Sequence, residues 1–192
     1  MSHTPSDPAP AGTPDADPEL HSALRLLRAC GAEDMDHPGG TLLAHLLRVR
    51  QRLAVWEARP ALQLAGLCHA FYGTDGFAQA LLPLERRPEL AEAIGAEAEA
   101  IVHFYGACDR KVSYRELGTY RNRFTGRTRD ATPREQRDLA ELTAANELDI
   151  ALADEEFRLR HGADLLELFT RMRPALSPAA WRETAKVLGD TA

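Results

Sequence analysis

HLLRVRQRLAVWEARPALQLAGLCHA, residues 45–70, sets two different helical patterns back to back. The first begins slightly upstream. Thr41 is a fair N-cap, and Leu42, Leu46, Val49, Leu53 and Trp56 recur at helical spacing. Arg48, Arg50, Gln51 and Arg52 fall on the outward face, whereas His45 lies close to the apolar stripe and points toward the core. The second pattern, residues 61–72, is apolar apart from Gln63 and His69. A helix apolar all round is a buried central helix, here predicted to stop at Gly73. Two adjacent antiparallel helices would bring His45 and His69 together, and two neutral imidazoles are the beginning of a divalent metal site. Further donors must come from elsewhere, with Asp149, Asp75 and His37 available. The same two histidines read equally well as core residues hydrogen-bonded to backbone or to Asn146.

The remaining sequence continues in helices. Residues 1–17 carry four prolines among Ser, Thr, Asp and Ala, and are expected to form a disordered tail. Leu20, Leu24, Leu26 and Leu27 make a stripe that Gly31 stops. Pro88 opens a short amphipathic segment reaching Gly95, and residues 96–107 form another helix. Residues 108–131, polar with Gly118 and Gly126, read as a long excursion with little regular structure. Thr132 caps a long helix running to about Ala153, with Pro133 at its first position. Asn146 and Asp149 share one face of it. Helices at 155–172 and 178–188 complete an all-α pattern without internal repeat, giving one helical domain at 18–192.

Composition excludes several classes. A net charge of -6 argues against nucleic-acid binding. No apolar run reaches the roughly 20 residues of a membrane span, and the N-terminus lacks a secretory pattern. Three cysteines without CxxC spacing point to reduced thiols and a cytoplasmic location. Charge is unevenly spread. Seven basic residues against one acid occupy 110–129, so Arg121, Arg123 and Arg127 are candidate substrate-binding groups for a small anionic molecule. The aromatic faces of Tyr120 and Phe124 could stack on a planar group. The segment also reads as a solvated loop.

The 45–70 stretch resembles the opening of the HD-domain superfamily, especially its alarmone-hydrolase branch. RRPELAEAIGAEAEAIVHF, residues 86–104, resembles the helices that follow there. LTAANELDIA, residues 142–151, lies where that branch carries its last Asp. The likeness spans about residues 37–153 and implies an HD-like helical fold. It makes His45 and His69 metal ligands and sets Asn146 where the late Asp stands. Ala70 replaces the Asp that follows the second His, and Gly73 and Thr74 replace an acidic pair. His-Ala-x-Tyr-Gly-Thr in place of His-Asp marks a divergent branch.

The implied function is that of a small-molecule enzyme acting on a phosphate-bearing substrate. It would be a metal-dependent, phosphohydrolase-like hydrolase, or an oxygenase as in other members. Its metal would be Fe, Mn or Zn, held by His45, His69, Asn146 and Asp149. Tyr72, Thr74 and Asp75, in the turn directly after His69, are the candidate catalytic groups, though they also read as a helix C-cap. The alternative is a metal-free module for ligand or protein binding.

Overall fold

Capping chemistry sets most helix ends in the computed structural model, which describes residues 17–189. The expected tail at 1–17 lies outside the described residues apart from Asp17. That residue caps α1 (Pro18–Ala29) by accepting a hydrogen bond from Leu20 N. Thr41 caps α2 (Leu42–Val55) as its sequence context predicts. Next come α3 (Pro60–Cys68), α4 (Arg87–Ile94), α5 (Ala96–Gly106) and the short α6 (Arg110–Ser113). The long α7 (Pro133–Ala153) opens with a capping box, Thr132 and Glu135 satisfying each other's backbone N–H. Two more helices, α8 (Glu155–Met172) and α9 (Pro178–Gly189), close the all-α domain.

α2 packs on α3 and α7, α3 packs on α5, and α8 and α9 pack on α7 and on each other. Close approach of α2 and α3 depends on Gly66. A methyl group there would lie 2.4 Å from Leu53 Cδ1, inside a fully buried layer. Arg59 ties the start of α3 to α7 through two hydrogen bonds to Asp138, at 2.5 and 2.6 Å.

Three local expectations change. α3 ends at Cys68, so His69 is its C-cap and residues 69–73 unwind. Phe71 N and Gly73 N each bond three residues back, and Gly73 takes φ 66°, which glycine alone tolerates easily. Residues 36–41 form a small hairpin, β1 (Asp36–His37) with β2 (Gly40–Thr41), turning at Pro38-Gly39. Residues 108–131 are ordered: Asp109 caps α6, and β3 (Thr119–Arg121) pairs with β4 (Thr128–Asp130). Tyr120 anchors this hairpin, buried and stacked on Phe104 at 4.0 Å, with its hydroxyl donating to the Phe104 carbonyl.

Gly66→Ala is expected to destabilise the protein by about 1–3 kcal/mol through overpacking, read from urea denaturation; a neutral result would refute the close-approach argument. At the start of α7, hydrogen bonds from Arg129 pull the Glu135 carboxyl down to about 2 from an ordinary 4.5. A carboxyl lowered in the fold stabilises it above the unfolded value, and that contribution disappears as pH falls through the folded one. The melting-temperature difference between wild type and Glu135→Gln should therefore be full at neutral pH and close between about pH 4.5 and 2. A difference independent of pH would remove Glu135's charge from the account.

Candidate functional site

α2, the end of α3, and α7 converge on His45, His69, Asn146 and Asp149, all buried. Burying a carboxylate is costly unless its oxygens are satisfied, and Asp149 is satisfied fully. Oδ2 accepts from His45 Nδ1 at 2.7 Å and from Arg48 Nη2 at 2.9 Å. Oδ1 accepts from Arg48 Nε at 2.9 Å and Arg52 Nη1 at 3.4 Å. Burial alone would raise this carboxyl, but the hydrogen bonds from His45 and Arg48 outweigh it and hold it far below the carboxylate range. Arg48 and Arg52, expected to face outward, are thus drawn across the surface of α2 toward α7. Asp149, a predicted metal ligand, is spent as a charge partner and has no free oxygen.

This pairing decides the tautomer of His45. A carboxylate only accepts, so His45 carries its hydrogen on Nδ1. In a neutral ring Nε2 is then a lone pair, and it lies 3.1 Å from Asn146 Oδ1. Asn146 cannot turn its amide around without cost, because its Nδ2 donates to Glu147 Oε1 at 3.1 Å. His69 repeats the pattern: Nδ1 lies 2.8 Å from the Gly66 carbonyl oxygen, leaving Nε2 as the lone pair. Burial, aided by the nearby His45, lowers the His69 imidazole to about 3, so it is neutral at physiological pH. The His45 and His69 rings meet edge to face at 5.4 Å, and His37 stacks on His45 at 4.0 Å. Burial lowers His37 to about 4, and its Nδ1 is buried without a hydrogen-bond partner among the described residues.

A pocket of about 360 Å³ opens over this cluster. His69, Thr74, Arg110, Asn146 and Glu147 supply its polar wall, and Leu42, Phe77, Ile150 and Phe157 its apolar one. Arg110 donates to Glu147 Oε1 at 3.0 Å and to the Tyr105 hydroxyl at 3.1 Å. Burial works against its charge, and the Glu147 carboxylate beside it offsets that cost.

The other predicted groups are dispersed. Thr74 reaches the pocket wall, although its hydroxyl accepts from Phe77 N. Asp75 is exposed and accepts from Arg110 N, thereby holding the residue that enters the pocket. Tyr72 turns the other way: its hydroxyl donates to Glu99, which Arg87 clamps, so it is no catalytic group of this pocket. None of Arg121, Arg123 and Arg127 lines the pocket. Arg121 pairs with Asp109 at 3.6 Å, and Arg123 donates to the Gly106 and Tyr72 carbonyls. Arg127 is exposed. Sequence reasoning passed over Arg110 and Glu147. The available signal was Glu147's place directly after Asn146 and two residues before Asp149.

Among the described residues no group of three or more His, Cys, Asp or Glu side chains is arranged to hold a metal ion. An ion here would take two imidazoles and an amide oxygen. No helix among the described residues is long and apolar enough to cross a membrane, and all three cysteines are free thiols.

Residues 26–110 match a family model described as a domain of unknown function, DUF6817. That match takes in His37, His45, His69 and the Tyr72–Asp75 turn, reaches Arg110, and stops before α7. No curated protein and no solved structure matches the chain.

Asp149→Asn should cost about 3 kcal/mol or more, because it leaves buried His45 and two guanidiniums without their counter-charge. Arg48→Ala should cost less, since that side chain is 38% exposed. Equal, small losses for both in chemical denaturation would show that the carboxylate is not the anchor.

Proposed function

We propose that the chain is a small-molecule enzyme of HD-like type, in which a divalent metal ion and Arg110 together act on a small phosphate-bearing substrate. One observation carries the reading. His45 Nε2 and Asn146 Oδ1 face each other at 3.1 Å, and with His45 neutral both atoms present lone pairs. Neutral groups so placed repel, whereas atoms each about 2.1 Å from one shared cation stand roughly 3.0–3.4 Å apart. Both histidines also direct their Nδ1 hydrogen to an acceptor, Asp149 or the Gly66 carbonyl. That is how metal-ligating histidines are oriented.

His45, His69 and Asn146 would hold the ion, with Asp149 as the residue that positions His45. Iron, manganese and zinc all suit imidazole and oxygen donors. Such an ion supplies Lewis-acid polarisation of a phosphoryl oxygen and activation of water. Arg110 binds and orients the anion, and Glu147 keeps the guanidinium aimed into the pocket. Glu147 is also the carboxylate placed to take a proton from attacking water, in the role the acidic neighbours of the HD pattern would have filled. Hydrolysis is favoured over oxygenase chemistry because the anion-binding Arg110 shares the pocket with the histidines.

A second reading rests on the same pair of atoms. A His45 ring carrying hydrogens on both nitrogens would satisfy Asp149 and Asn146 at once, completing the network without an ion. The pocket would then serve a metal-free ligand-binding module.

Elemental analysis of protein purified without chelator or affinity metal separates the two readings. Near-stoichiometric iron, manganese or zinc is expected, lost in His45→Ala and His69→Ala. In Asp149→Asn it should be bound about 10–100-fold more weakly. Absence of metal even after reconstitution sinks the enzyme reading. A nitrogen-15 shift showing His45 Nε2 protonated would establish the second one.

A further inference from the structure

The pocket has a charge count and a shape, and together they narrow the ligand. Its charged lining is Arg110, Glu147 and Asp36. Arg110 is the only guanidinium there among the described residues, and Glu147 already half-neutralises it at 3.0 Å. The arginines of the β3–β4 hairpin do not line the pocket. Arg123 is spent on two backbone carbonyls and Arg121 on Asp109. A site with one available guanidinium fits one terminal anionic group. At about 360 Å³ the pocket also stands near the small end of ligand sites, which run from about 300 to 1,000 Å³.

In the apolar lining, Phe77 and Phe157 come from two separate elements, the loop after α3 and the first turn of α8, and Ile150 from α7, one turn after Asn146. All three are only partly buried by the protein itself. His37 meets Phe77 edge to face, with ring centres 6.2 Å apart, so the aromatic lining continues to the hairpin. Apolar and aromatic faces left incompletely covered inside a pocket gain most from a flat apolar body, through both burial and ring contact.

We infer that the ligand is a small monoester or acid with one terminal anionic group on a planar, apolar body, of the aryl phosphate kind, and not a nucleoside carrying a chain of phosphates. This rests on the reading of Arg110 as the anion-binding group in the proposed site. The anionic end meets Arg110 beside His69 and Asn146, and the body lies against Phe77, Ile150 and Phe157. An amide at position 146 is compatible with such a ligand, since the pocket keeps less negative charge than a carboxylate set would give it.

Calorimetric titration of the full chain, metal-loaded and metal-free, tests this without requiring turnover. The probes are phenyl phosphate, benzoate, glycerol phosphate, inorganic phosphate and a nucleoside triphosphate. Phenyl phosphate is expected to bind roughly tenfold or more tightly than glycerol phosphate or inorganic phosphate. Benzoate reports whether the terminal group must be phosphate or only anionic. Phe157→Ala and Phe77→Ala should each erase most of the aryl preference. The wild-type ranking decides the matter even where a variant fails to fold. Equal binding of glycerol phosphate and phenyl phosphate, or tightest binding of the nucleoside triphosphate, overturns the inference while leaving the proposed site standing. No binding of any anion, with Arg110→Ala indistinguishable from wild type, overturns both. The same aryl preference in metal-free protein supports the inference.

Discussion

The carboxylate of Asp149 is the constraint around which the central helices are organised. It is 3% exposed, on a helix buried along most of its length. A charge in that position is tolerable only if every oxygen finds a cationic or hydrogen-bonding partner. Arg48, Arg52 and His45 all come from α2, at positions that wind around one side of that helix. Together they lock the register of α2 against α7: a shift of one turn would strand the carboxylate. Arg52 carries the constraint further, bonding Glu183 on α9 at 2.9 Å and the Ala145 carbonyl of α7.

Chemistry in the pocket follows from that lock. Because Asp149 takes the Nδ1 hydrogen, His45 presents Nε2 toward α7, and Asn146, one turn earlier on the same helix, presents its oxygen in return. Glu147 then links Asn146 to Arg110, so polar contacts that begin at the arginines of α2 reach the guanidinium beside the pocket, with the close approach of His45 Nε2 to Asn146 Oδ1 between them. Buried networks of this kind are worth more complete than in parts. The polar groups left over after structural demands are met are His69 Nε2, the edge of Arg110, and the pair between His45 and Asn146.

Much of the fold was legible in local chemistry. Thr41, Pro133 with Thr132, and the Ser177-Pro178 start each mark a helix beginning through a hydrogen bond spanning only three residues, or through a fixed φ. Such signals need no tertiary partner, and the helix boundaries they imply agree with the structure to within a residue or two. The hairpin at 119–130 was missed because its strands are three residues long and polar. It is held by long-range contacts that no local pattern records, among them Tyr120 inserted against Phe104 of α5 and Arg123 bonded to the Gly106 carbonyl. The early end of α3 was missed for a related reason, since an apolar run reads alike as helix or as buried turn.

By itself the sequence determined the all-α class, the buried placement of His45 and His69, and the shared face of Asn146 and Asp149. All of these depend on periodicity and capping within a turn or two of each residue. Only the tertiary structure decided what each polar side chain touches. It moved Asp149 from ligand to counter-charge, drew Arg48 and Arg52 inward, and turned Tyr72 toward Glu99. It also brought Arg110, and not the arginines of the hairpin, to the pocket wall. The physical reason is that a buried charge or hydrogen-bonding group must be matched by a partner, wherever in the chain that partner lies. Asp149 and His45 are separated by more than half the chain, and no local pattern records which of several nearby cations will satisfy a given carboxylate.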